Sequence, residues 1–152
     1  MTEERFSKLC NVWSKIGPFD MDLFSHRLIL QKKIFLLQEA GYDLGYNFGR
    51  YLRGPYSSAL ATDGYKIKAS ENISGGDGCS DEGIKVISEI EEGHKNDAGW
   101  FELVATIVYL VKKEKKTKEE VISFILENKP HIYNLDRINE AFSKLENLKI
   151  LG

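Results

Sequence analysis

Three histidines and two cysteines are the residues from which a metal site or a nucleophile would be built, and their spacing supplies neither. His26, His94 and His131 stand far apart, so no pair occupies one helix at the separation of paired zinc ligands. Neither Cys10 nor Cys79 has a second cysteine two residues on, and two cysteines make no disulfide framework. A buried Cys10 with a loop thiol at Cys79 is a simpler reading than a single bridge between them, and both stay open. Asp77, Asp81 and Glu82 crowd a glycine-rich stretch, but their spacing departs from the D-x-[DN]-x-[DN]-G pattern of a calcium loop. Gly75-Gly76-Asp77-Gly78 has no apolar strand leading into it and no Lys-Ser/Thr after it, so it is no phosphate cradle. No G-x-S-x-G elbow or dinucleotide fingerprint occurs. The residues favour a non-enzyme without cofactor or metal. A site assembled from positions distant in the chain is the enzyme reading left open.

Charge is the next chemistry available. The chain carries 21 Lys+Arg against 23 Asp+Glu and has a pI near 6.0, so nothing draws the whole molecule to nucleic acid. The distribution is uneven. Between His26 and Lys68, seven bases (Arg27, Lys32, Lys33, Arg50, Arg53, Lys66 and Lys68) face three acids. From Glu71 to Glu102, nine acids face only Lys85 and Lys95. Arg50, Arg53, Lys66 and Lys68 could meet phosphates, although ordinary solvated faces are the simpler account.

The elements that must position these groups are mostly helical. Phe6, Leu9, Cys10, Trp13 and Ile16 make one apolar stripe, and Gly17-Pro18 ends it. A second helix, capped by Asp22 or Ser25, runs to about Ala40 and stops at Gly41. It is apolar on most sides from Leu28 to Leu37, which places it at the centre of the fold. His26, near its start, reads as a surface or capping residue. Tyr46 to Tyr51 is partly alternating and predicts a short extended or strand segment. Glu71 to Gly83 predicts a connector, after which Ser80 caps a helix bearing Ile84, Val86, Ile87 and Ile90. Gly93 to Gly99 is a second break. Trp100 to Val111 is the most hydrophobic helix and the expected partner of the Leu28–Leu37 helix. Thr117 and Glu120 form a capping box, and Asn128-Lys129-Pro130 stops the helix they open. A last helix starts near Asn134, and Ile150-Leu151 form a terminal apolar anchor.

Arg53-Gly54-Pro55-Tyr56-Ser57-Ser58 is the corner on which the chain turns. Pro55 suits the first turn of a helix, and Gly54 allows a sharp change of direction before it. The expectation is an extended segment, a Gly-Pro corner and a helix starting at the proline.

At 152 residues, with 42% hydrophobic and 29% charged side chains, the chain predicts one domain, 1–152. An N-terminal lobe, 1–92, and a C-terminal lobe, 99–152, would share one core. The expected fold is mainly α, with six to seven helices and at most a little strand. Met1-Thr2-Glu3-Glu4 is no secretory signal and Leu103–Val111 is too short to span a bilayer, so a cytoplasmic location and no membrane partner are expected.

The run Leu30-Gln31-Lys32-Lys33-Ile34-Phe35-Leu36-Leu37-Gln38, then Leu44-Gly45-Tyr46-Asn47-Phe48, then Tyr51-Leu52-Arg53-Gly54-Pro55-Tyr56-Ser57-Ser58-Ala59-Leu60 with Asp63, resembles the YwgA-like proteins. These are distantly similar to the SocA/Panacea antitoxin-domain group. Arg53 and Tyr56-Ser57 depart from the distant group's pattern. The resemblance implies a helical scaffold with winged-helix-like elements, used for binding another protein, with no cofactor and no catalytic residue. The expected function is that of a non-enzymatic protein-binding module, antitoxin-like or adaptor. Its partner-binding residues would be Arg50, Tyr51, Arg53, Gly54, Pro55, Tyr56 and Ser57, as contact surface or support. The alternative is a nucleic-acid-binding regulator using Arg50, Arg53, Lys66 and Lys68.

Overall fold

The computed structural model describes residues 2–69, 81–129 and 134–151. Among them the order is α1 (Thr2–Ile16), α2 (Phe24–Glu39), β1 (Gly49–Tyr51), β2 (Gly54–Tyr56), α3 (Ser58–Ala69), α4 (Asp81–Glu91), α5 (Ala98–Lys112), α6 (Lys118–Asn128) and α7 (Leu135–Asn147). The chain is mainly α with one small antiparallel sheet, as its periodicities predict. Most of the expected connector, including Cys79, Asp77 and the capping Ser80, lies outside the described residues, as do Pro130 and His131. Asp81 to Gly83, expected in the connector, already belong to α4.

The two most apolar helices pack on each other. Ten successive residues of α2, Leu28 to Leu37, are buried, and α5 buries Trp100 to Val108 and Leu110. Each fully buried Leu or Ile in such a pair is worth roughly 1.5–3 kcal/mol of apolar transfer. Around this axis, α4 and α3 lie on α2, α6 and α7 lie on α5, and α1 bridges α3 and α4. The apolar side chains of all these helices join in one cluster. Ile150 is buried and Leu151 packs beside it, closing the C-terminal end.

Termination signals act largely as read. Gly41 adopts φ +113°, a left-handed conformation that lets the chain leave α2 after Ala40. Thr117 Oγ1 accepts the Glu120 N–H while Glu120 Oε1 accepts the Thr117 N–H, which completes the capping box of α6. Asn134 caps α7 through its side chain. The start of α2 differs. Its N-cap is Leu23, and neither Asp22 nor Ser25 caps it. Instead the Asp20 N–H donates to His26 Nδ1 at 2.9 Å, so the histidine closes the loop ahead of the helix.

The corner also differs from expectation. Pro55 lies in β2, opposite Arg50, and not at the start of a helix. The reason is Ser57, whose Oγ accepts the Leu60 N–H at 3.2 Å and so caps α3 two residues after the proline. Tyr46 is not in a strand either. The Gln38 side chain bonds both its N–H and its C=O, so this stretch stays extended with no neighbouring strand. Strand pairing begins only at Gly49.

Candidate partner-binding site

The hairpin β1–β2 lies over the α2–α5 pair, and what holds it there is polar. Gln31, Lys32 and Lys33 sit inside the apolar run of α2 and are all buried. Each reaches a different segment. Gln31 bonds the backbone of Ser57 at the head of α3, accepting its N–H at 2.8 Å and donating to its C=O at 2.9 Å. Lys32 Nζ donates to the Pro55 C=O at 2.6 Å. Lys33 Nζ donates to the Ile16 C=O and to Glu91 Oε2, both at 2.6 Å, tying the ends of α1 and α4 to the same helix.

Beneath the hairpin the charges are tightly grouped. Glu102 on α5 has no exposed surface, and it faces Arg53 Nη1 at 3.3 Å and Lys129 Nζ at 3.6 Å. Lys129 Nζ also donates to the Leu52 C=O at 2.5 Å, which fixes the hairpin tip. Burial pushes Lys32 down to about 7; Glu102 works against that fall, while Lys129 and Arg53 add to it. Burial likewise lowers Lys129, against the pull of Glu102. A seam with more cations than carboxylates therefore lies under β2.

Gly54 is what lets β2 approach this seam. It has φ +93°, and a Cβ there would come within 2.7 Å of Thr106 Oγ1 and 3.6 Å of Lys32 Nζ. Gly54 pairs with Tyr51, so the hairpin turns through Leu52 and Arg53 alone.

The residues expected to contact a partner thus divide into two groups. Gly54, Pro55 and Ser57 are buried and act as support: close approach, a backbone acceptor for Lys32 and a helix cap. Arg50, Tyr51 and Arg53 are exposed, and Tyr56 is half-buried. The Tyr51 and Tyr56 rings meet edge to face at 5.2 Å. Arg50 points away from them, pairing with Glu114 at 3.2 Å and lying over the Phe124 ring.

Tyr51, Arg53 and Tyr56 border a cleft of about 320 Å³ between the hairpin, the start of α2 and α3. Its apolar lining includes Met21, Phe24, Leu28 and Tyr65. Lys32 and Arg27 also line it. Phe24, Tyr51 and Tyr65 expose 55%, 58% and 45% of their surfaces at its rim, and Leu52 at the hairpin tip exposes 88%. The Arg27 and Arg53 guanidinium groups both lie over the Phe24 ring, at 5.8 and 5.3 Å.

Four members of this site, Phe24, Arg27, Lys32 and Tyr65, were not among the expected partner-binding residues, although Arg27 and Lys32 belong to the basic stretch. Lys32 carried a signal, a cation in the middle of a helix otherwise apolar on most sides. The other three carried none, because α2, the hairpin and α3 become neighbours only on folding. Lys66 and Lys68 sit on α3, engaged by Asp63 at 3.7 Å and by Asp22. Each of the four bases of the nucleic-acid reading therefore has a carboxylate partner.

The remaining reactive groups lie elsewhere. Burial, and then the Asp63 carboxylate, push the Cys10 thiol up, away from a reactive thiolate. His94 stacks on Trp100 at 3.8 Å and meets Glu140 at 2.8 Å, which ties the α4–α5 connection to α7. Among the described residues no group of three or more His, Cys, Asp or Glu could hold a metal ion, and no helix is long and apolar enough to cross a membrane. Comparisons with family models, with curated proteins and with solved structures return no match for this chain.

Proposed function

We propose that the chain is a non-enzymatic protein-binding module, antitoxin-like or adaptor, that takes its partner on the face formed by the hairpin, the start of α2 and α3. One observation carries this reading. Of the large apolar residues exposed among the described residues, Phe24, Tyr51 and Tyr65 line one cleft, and Leu23 and Leu52 are chain neighbours of its lining. Isolated exposed apolar residues are ordinary on a soluble protein, whereas a gathered aromatic rim marks an interaction surface. Tyrosine and arginine are also the side chains that contribute most at protein interfaces. The nucleic-acid alternative has less support, because three of its four bases, Arg50, Lys66 and Lys68, are engaged by carboxylates that do not line the cleft.

Site-specific photo-crosslinking in the native host tests the reading. Tyr65→p-benzoylphenylalanine should yield a discrete protein adduct that disappears when Tyr51→Ala is added. The same group at Leu135, an exposed apolar position on α7, serves as the control. Adducts from Leu135 with none from Tyr65 would move the binding face to α7.

A further inference from the structure

The chemistry of the cleft narrows what the partner presents. We propose that the cleft receives a partner segment in which a bulky apolar side chain stands next to a carboxylate, the apolar group seated among Phe24, Tyr51 and Tyr65 and the carboxylate drawn to Arg27, Arg53 and Lys32. This inference rests on the protein-binding reading above.

The argument is one of charge complementarity. Three cations line a mostly apolar cleft, and the carboxylate behind them, Glu102, is fully buried and shared between Arg53 and Lys129. No carboxylate among the described residues lies within ion-pair distance of Arg27 or Lys32. Arg27 instead donates from Nη1 to the Met21 C=O at 2.8 Å, which steadies its guanidinium over Phe24 and leaves other N–H groups for a ligand. The Arg53 guanidinium lies over the same ring at 5.3 Å. Two guanidinium groups held over one aromatic ring are positioned before a ligand arrives, so less rotamer entropy is lost when it binds.

Lys32 gives the site a proton linkage. Its ammonium bonds the Pro55 C=O of the hairpin and feels the charges of Glu102 on α5, Lys129 at the end of α6 and Arg53 at the hairpin tip. Burial and the two neighbouring cations hold its ammonium down to about 7. An arriving carboxylate favours the charged form, so binding takes up a proton above that pH and weakens as the pH rises. A phosphate backbone fits less well. It needs a row of accessible bases, and Arg50, Lys66 and Lys68 are engaged elsewhere.

The test begins with a random peptide library displayed on phage and panned against the intact protein. Enriched peptides are then synthesised with a fluorescein label and titrated by anisotropy. The expected peptides carry Asp, Glu or a free C-terminal carboxylate within two positions of Phe, Trp or Leu. Asp→Asn in the peptide, or Arg27→Ala in the protein, should weaken binding about tenfold or more. Raising the pH from about 6.5 to about 8.5 should weaken the acidic peptide by up to tenfold per unit and leave the Asn peptide unchanged. Arg27 is only partly buried and its bond is to one backbone carbonyl, so its variant should fold even if changes at the buried Lys32 do not.

Enriched peptides that lack a carboxylate, or acidic ones indifferent to both substitutions, would overturn this inference. The protein-binding reading would still stand if Tyr51→Ala abolished their binding. Peptides indifferent to Tyr51→Ala as well would remove the cleft from both. A single-stranded oligonucleotide that displaces the peptide at micromolar concentration would overturn both and assign the cleft to nucleic acid.

Discussion

Gln31 and Ser57 exchange two hydrogen bonds, the side-chain amide of one matching the backbone N–H and C=O of the other at 2.8 and 2.9 Å. Two turns along α2, Gln38 does the same for Tyr46 at 2.9 and 3.0 Å. Helix α2 thus imitates a neighbouring strand at two points and holds both ends of the segment that contains the hairpin. Gln31→Leu keeps the volume but leaves the Ser57 N–H buried without a partner, while the Ser57 C=O keeps the Ala61 N–H at 3.2 Å. Such an orphan costs roughly 1–3 kcal/mol, and a loss of that order is expected in chemical denaturation. Gln38→Leu, at a less buried clamp, should cost less. Equal midpoints for Gln31→Leu and wild type would mean that water replaces the amide and the clamp is dispensable.

Gly54 and Thr106 define how closely the hairpin can lie on α5. A side chain at Gly54 meets two obstacles, the positive φ and the 2.7 Å approach to Thr106 Oγ1. The backbone strain alone is worth about 1–3 kcal/mol. Gly54→Ala should therefore destabilise by roughly 2–4 kcal/mol, the remainder coming from overpacking. Thr106 Oγ1 is buried with no hydrogen-bond partner among the described residues, so Thr106→Ala by itself should be close to neutral. The double variant should recover the contact part and leave the backbone part. Strict additivity in that cycle would show that no such contact exists.

Helices were legible wherever one local signal decided the outcome. The capping box at Thr117 and Glu120, the stop at Gly41 and the stripe from Phe6 to Ile16 each depend on neighbours in the chain. The pairing of α2 with α5 was legible because both runs are too apolar to tolerate water. The hairpin was not. Pro55 satisfies the rules for a helix start as well as those for a short edge strand, and only the position of Ser57 as the cap decides between them. Tyr51 and Arg53 were legible as site candidates because they flank a recognisable corner. Phe24, Arg27 and Tyr65 were not, since nothing in their local sequence says that they share a cleft.

Lys32 should leave a mark on the pH dependence of stability. Its folded-state pKa is lowered to about 7 from 10.5. Below about pH 7 the folded and unfolded chains both hold the proton, and Lys32 adds no pH dependence. Between about pH 7 and 10 the unfolded chain binds the proton and the folded chain does not, so stability rises with pH. One group contributes a slope of up to about 1.4 kcal/mol per pH unit. Lys129, lowered chiefly by burial, acts in the same direction and remains in Lys32→Met, so the two proteins must be compared. Wild type should gain stability across this window more steeply than Lys32→Met. Parallel curves would place the Lys32 ammonium in contact with water.

Salt separates the two functional readings. A duplex-binding surface that neutralises six to ten phosphates loses roughly three to five orders of magnitude in affinity between about 50 and 200 mM salt. The cleft offers one cluster of cations inside an aromatic rim, with no extended basic track. A partner held there by apolar burial and one or two charge pairs should weaken by less than about tenfold over the same range, because screening acts on charge and not on apolar burial. The aromatic rim should dominate the energetics. Tyr51→Ala should cost the complex about tenfold or more, since a central aromatic contact is typically worth over 1 kcal/mol. Arg50→Ala should cost little, because Arg50 spends its charge on Glu114 and lies over Phe124, away from the cleft. The contrast between Tyr51 and Arg50, neighbours in the chain, makes this decisive. Should Arg50→Ala abolish binding in a steeply salt-dependent way while Tyr51→Ala leaves it intact, the chain binds nucleic acid through the outer face of the hairpin.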